Sequence, residues 1–129
     1  MKKIFLCLVL SILPISVFAC TAPMGGEEFD KLIQVEKIAK NTFHIKVAKN
    51  AKGLHFGVDI SVVYHKNGKI YQTDNYIKTL KIKESNEYYT STFELKKIEG
   101  YIPMVEVFWQ PEQCCLCGAY GHSDELVLE

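Results

Sequence analysis

The chain has 129 residues, 48% of them hydrophobic and 23% charged, with fifteen basic and fifteen acidic side chains. That length suits one domain and is short for two, and the hydrophobic content excludes a disordered or collagen-like chain. Beyond position 20 the apolar residues are scattered rather than gathered into runs of about twenty, which excludes a multi-span membrane protein. Every basic residue is lysine. A nucleic-acid binder is expected to carry a net basic face, usually with arginine forks for phosphate or guanine, and this balanced, arginine-free chain offers neither.

The first segment reads as a leader. Lys2 and Lys3 precede the apolar run Ile4 to Leu10, which continues past Ser11, Pro14 and Ser16 to Val17-Phe18-Ala19 before Cys20. A charged start, an apolar middle too short and too interrupted to span a bilayer, and a small residue at the cut make a secretory signal peptide over residues 1–19. The expectation is therefore a single domain of residues 20–129 exported to an oxidising space, secreted or in a bacterial periplasm, with no membrane span. Cys20 also stands where a lipoprotein carries its lipid. The bulky Phe18 fits that route poorly, and simple cleavage leaves Cys20, Cys114, Cys115 and Cys117 as an even set. A soluble product is preferred, with a lipid anchor at Cys20 as the alternative.

Glu27 to Lys40 fits either a helical face, through Phe29, Leu32 and Ile33, or a strand, through Ile33 and Val35. The nearby Lys40-Asn41 turn signal favours the strand. From there the period is two. Phe43, Ile45 and Val47 share a face, with His44 and Lys46 opposite, and Val58, Ile60, Val62 and Tyr64 alternate with Asp59 and Ser61. Tyr89, Ser91, Phe93 and Leu95 form a third stripe, and Val105, Val107 and Trp109 a fourth, with Glu106 opposite. Asn67-Gly68 reads as a type I′ hairpin turn, Asn50 to Gly53 and Glu84 to Glu87 as polar breaks, and Pro111 as the stop after Trp109. A last strand is expected near Leu126 to Leu128. The core is expected to hold Phe43, Val58, Ile60, Val62, Phe93, Val105, Val107 and Trp109.

Six or seven short strands at regular spacing predict an all-β antiparallel sandwich. In size and strand count it resembles immunoglobulin and fibronectin type III domains, which implies two packed sheets whose loops and edges can bind a partner. The Cys…Trp…Cys spacing of true immunoglobulin domains is absent. Gly100-Tyr101, before the Val105 strand, resembles a tyrosine corner interrupted by Pro103.

The one dense constellation is Cys114-Cys115-Leu116-Cys117, followed at a short distance by His122. In an oxidising space it reads first as a disulfide staple between this loop and Cys20, contributing roughly 2–4 kcal/mol. Of the three connectivities, Cys20–Cys115 with Cys114–Cys117 is the most relaxed, because Cys20–Cys117 forces a bridge between neighbours and Cys20–Cys114 leaves the tight Cys115–Cys117 link. The alternative is a Zn²⁺ or Cu(I) site on Cys114, Cys117 and His122, completed by Cys20 or Cys115. A thiol–disulfide oxidoreductase using Cys114 and Cys117 ranks third, since Pro111, Gly118 and Gly121 argue for a loop rather than a helix N-terminus. His44, His55 and His65 read as surface or edge residues. No nucleophile elbow or phosphate-cradling glycine loop occurs. The expectation is a non-catalytic binding or structural module without a cofactor, whose partner, protein or small molecule, the sequence does not identify.

Overall fold

The structure is a computed structural model, which describes residues 24–54, 57–66, 76–111 and 117–129. The expected leader of residues 1–19, Cys20, His55, Asn67-Gly68, Cys114 and Cys115 lie outside the described residues. Among those described are β1 (Met24–Gly25), a helical turn α1 (Glu27–Asp30), β2 (Ile33–Ala39), β3 (Thr42–Ala48) and β4 (Gly57–His65). They are followed by β5 (Tyr76–Thr79), β6 (Lys83–Glu84), β7 (Tyr88–Glu94), β8 (Ile102–Gln110) and β9 (Ala119–His122). The fold is all-β, in two sheets ordered β1-β9-β8-β4-β5 and β2-β3-β7-β6. Every pairing is antiparallel except that of β1 with β9. Among the described residues no helix is long and apolar enough to cross a membrane.

The alternating stripes form the core because a strand sends successive side chains to opposite faces. All eight expected core positions are buried, and residues of both sheets join one hydrophobic cluster. Hydrogen bonds also cross between the layers, among them one from Lys78 Nζ on β5 to the Glu94 carbonyl of β7 at 3.2 Å. The Trp109 indole N–H donates to the Ala48 carbonyl at 2.8 Å, and the Tyr64 hydroxyl donates to the Lys96 carbonyl at 3.0 Å. Burial pushes the Tyr64 hydroxyl pKa up, and the bond to Lys96 lowers it in part. The tie at the β7–β8 corner is thus made by Tyr64 on β4, while Tyr101 turns the chain through its N–H on the Ile98 carbonyl.

Turn chemistry follows the sequence at two places. Asn41, at φ 52°, closes the β2–β3 hairpin. Lys52 and Gly53, both at positive φ, sit inside the reciprocal Ala51–Leu54 bonds, as a type I′ turn requires. β8 runs through Pro103, and the ladder tolerates it. The Pro103 carbonyl accepts from Leu126 N–H at 2.8 Å, so the missing donor also faces the tail and not β4.

Three expectations are corrected. Glu27 to Lys40 is not one strand: Glu27–Asp30 makes a single helical turn, and β2 begins at Ile33. The last strand is Ala119–His122 rather than Leu126 to Leu128. Residues 123–129 form a tail that holds to β8 through Ser123 N–H on Val105 and Leu126 N–H on Pro103. His65 is buried rather than exposed, 2% accessible, on the face of β4 opposite the core stripe.

Candidate functional site

The sandwich is open along one side, between the β2 edge and the tail. A groove of about 910 Å³ runs there, with Val35 and Phe43 on the β2 side, Leu126 on the tail side, and His122 and Asp30 at one end. At the other end the tail is clamped to the β2–β3 turn. Asn41 Nδ2 donates to the Glu129 carbonyl, Glu129 N–H donates to Asn41 Oδ1, and Lys37 Nζ lies 3.3 Å from Glu129 Oε1.

His122 reaches this place through the β9 register. β1 pairs with the first half of β9, at Ala119 and Tyr120, and α1 then turns the chain so that Asp30 Oδ1 accepts the edge N–H of His122 at 2.8 Å. A side chain thus replaces the missing strand. Glu106 lies directly opposite His122 in the β8–β9 ladder, and opposite residues share a face. Its Oε2 is 3.1 Å from His122 Nε2, both side chains being about one-quarter exposed.

The hydrogen bond to Glu106 holds the His122 pKa above the ordinary 6.5; burial opposes it, and the charges of Glu106 and Asp30 add to it. A histidine whose folded pKa is raised stabilises the fold fully below the unfolded value, and loses that contribution as pH rises through the folded value. Glu106→Gln should therefore flatten the stability–pH curve from about 6.5 upward. It should also move the His122 imidazole titration, followed by NMR, down toward 6.5. An unchanged midpoint would show that the pair does not couple.

The residues singled out in the sequence are distributed unevenly. Cys117 is half-buried and disulfide-bonded, its partner lying outside the described residues. His122, proposed as a metal ligand beside Cys114 and Cys117, has its ring on Glu106. Among the described residues no three of His, Cys, Asp and Glu are grouped to hold a metal ion. His44 faces away from the core, with Nδ1 at 2.9 Å from the Thr92 hydroxyl across the β3–β7 pair. His65 has no hydrogen-bond partner among the described residues, and Glu125 Oε1 stands 3.7 Å from its Nε2.

Sequence reasoning missed the Glu106–His122 pair and Asp30. The parity of β8 already set Glu106 on the face opposite Trp109, but only the β8–β9 register reveals which residue it meets. Nothing in the sequence signals Asp30. Compared with protein-family models, with curated proteins and with solved structures, the chain matches none.

Proposed function

We propose that the protein is an exported, non-catalytic binding or structural module built on an immunoglobulin-like sandwich and stapled at one end by disulfides. The observation that carries the architecture is strand order. Assigning β2 to β9 the letters A, B, C, C′, D, E, F and G turns the sheets into A-B-E-D and G-F-C-C′. This order is like that of immunoglobulin-type domains and supports the reading, with two strands added, β1 beside G and C′ beside C. A rigid frame of this kind presents loops and edges to partners, although the fold alone chooses none.

The staple reading is supported by the β1–β9 pair. Met24 and Ala119 are Cα partners in parallel strands, and each follows a cysteine by four positions, Cys20 and Cys115. Four residues extend at most about 14 Å, so the spacing is compatible with a bridge between the two cysteines. The disulfide-bonded state of Cys117 agrees with Cys114 as its partner in the same scheme.

Intact mass of the exported protein tests the whole reading. It should start at Cys20 with a free amine, carry no acyl mass, and take up alkylating agent only after reduction. An added acyl mass moves the protein to the lipoprotein class, and a metal retained under native spray moves it to the metal-binding class. Catalytic reduction of a model disulfide, abolished by Cys114→Ser, makes it an oxidoreductase. Cys20→Ser should lower the melting temperature under oxidising conditions and change nothing in reductant, because the bridge acts only when formed.

A further inference from the structure

The edge of β2 differs from the other sheet edges. The outer strands of the two sheets are β1, β5, β2 and β6, and among the described residues β2 is the longest, with 7 residues against 2, 4 and 2. Its hydrogen-bond parity follows from one bond. Ala48 N–H donates to the Leu32 carbonyl at 3.2 Å, which continues the β2–β3 ladder by one residue. The N–H and C=O of one strand residue point the same way, so those of Leu32, Gln34 and Glu36 face β3. Those of Ile33, Val35 and Lys37 face outward, into the groove, and among the described residues no backbone group pairs with them. A register shift between Lys37 and Ala39 ends the regular edge there.

The groove's charges are unequal. Its lysines are both engaged, Lys31 with Glu27 at 3.2 Å and Lys37 with Glu129. On the tail wall Asp124 and Glu125 are exposed and, among the described residues, neither pairs with a lysine, while Glu125 Oε1 stands 3.7 Å from His65 Nε2. Between them and β2 lie the apolar side chains of Val35, Phe43 and Leu126. A lysine or arginine suits this combination, since its aliphatic stem covers apolar surface while its head reaches a carboxylate.

We infer that the β2 edge from Ile33 to Lys37 docks an extended, basic segment of a polypeptide partner as an added strand. This rests on the binding-module reading and names its site and partner class. Main-chain bonds to Ile33, Val35 and Lys37 supply register, and the carboxylates of Asp124 and Glu125 supply the preference for basic side chains.

The probe is an acetylated, amidated hexapeptide alternating valine and lysine, added to the full exported protein while amide exchange is followed by NMR. At a concentration ten times the dissociation constant, exchange at the outward amides of Ile33, Val35 and Lys37 should slow roughly tenfold. A peptide alternating valine and glutamate should leave them unchanged. Val35→Pro removes an outward donor without breaking the β2–β3 ladder and should abolish the effect. The doubly substituted Asp124→Lys, Glu125→Lys protein, changed only at exposed positions, should lose the preference for lysine. The inference is overturned if the three amides stay unprotected, if the acidic peptide protects them equally, or if they become protected with rising protein concentration alone, which would mean that β2 pairs with a second copy. Those outcomes leave the module reading standing. Disulfide-reducing turnover or bound metal overturns the module reading whatever the peptide does.

Discussion

Replacing Trp109 by alanine should cost about 3–5 kcal/mol, a large part of the roughly 5–15 kcal/mol that holds a domain of this size together. Trp109 is fully buried, packs against Phe29 with ring centroids 6.1 Å apart, and joins the hydrophobic cluster shared by both sheets. Its indole N–H also makes a hydrogen bond that crosses between the layers, to the Ala48 carbonyl. Trp109→Phe separates the two contributions. The ring volume is largely kept, but the Ala48 carbonyl loses its indole donor, which costs about 1–3 kcal/mol where no water replaces it. Denaturant midpoints at constant slope should order the proteins as wild type, then phenylalanine, then alanine. An alanine variant within 1 kcal/mol of wild type would mean that the two sheets do not share this core.

The stripes were legible in the sequence because burial on one face of a strand imposes a period of two. Phe43, Val58, Ile60, Val62, Phe93, Val105, Val107 and Trp109 could each be assigned without knowing which strand lay beside which. What escaped depends on neighbours. Four residues, Glu27–Asp30, are too few to display a helical period, and the apolar face they share with Leu32 and Ile33 reads equally well as strand. β9 shows no hydrophobic alternation because its inward positions are Ala119 and Gly121, which sit opposite Trp109 and Val107. A Cβ on Gly121 would come within 3.0 Å of both Ile33 Cδ1 and Trp109 Cζ3, so larger neighbours already fill the space where a strand's own side chain would normally signal it. The apolar residues of the tail drew the last strand instead, although Leu126 reaches the core from an irregular segment and Val127 is exposed. His65 reads as a turn flank because its burial, with Val63, lies on the sheet face that the stripe leaves polar elsewhere. The same limit applies to the site. Glu106 and His122 are sixteen positions apart, and only sheet register makes them partners.

Gly118→Ala should destabilise the protein by about 1–3 kcal/mol, whereas the same change at a strain-free glycine is neutral or stabilising by about 0.4–1 kcal/mol. No positive φ is involved at Gly118; the constraint is space. An added Cβ would lie 2.2 Å from Phe108 Cε2, 2.3 Å from Phe108 Cζ and 2.6 Å from the Trp109 carbonyl oxygen. The Phe108 ring can swing away only by leaving Tyr120, with which it packs at a centroid distance of 4.6 Å. The carbonyl belongs to β8 and cannot move without disturbing the ladder. Gly25 supplies the contrast, because its added Cβ would meet only the Tyr120 carbonyl, at an ordinary 3.7 Å. Thermal melts should therefore rank Gly118→Ala well below Gly121→Ala, and Gly25→Ala beside wild type. Combining Gly118→Ala with Phe108→Ala should recover part of the loss that the single changes predict when added, since one clash is then removed and the contact with the Trp109 carbonyl stays. Strict additivity would mean that the ring does not lie over Gly118.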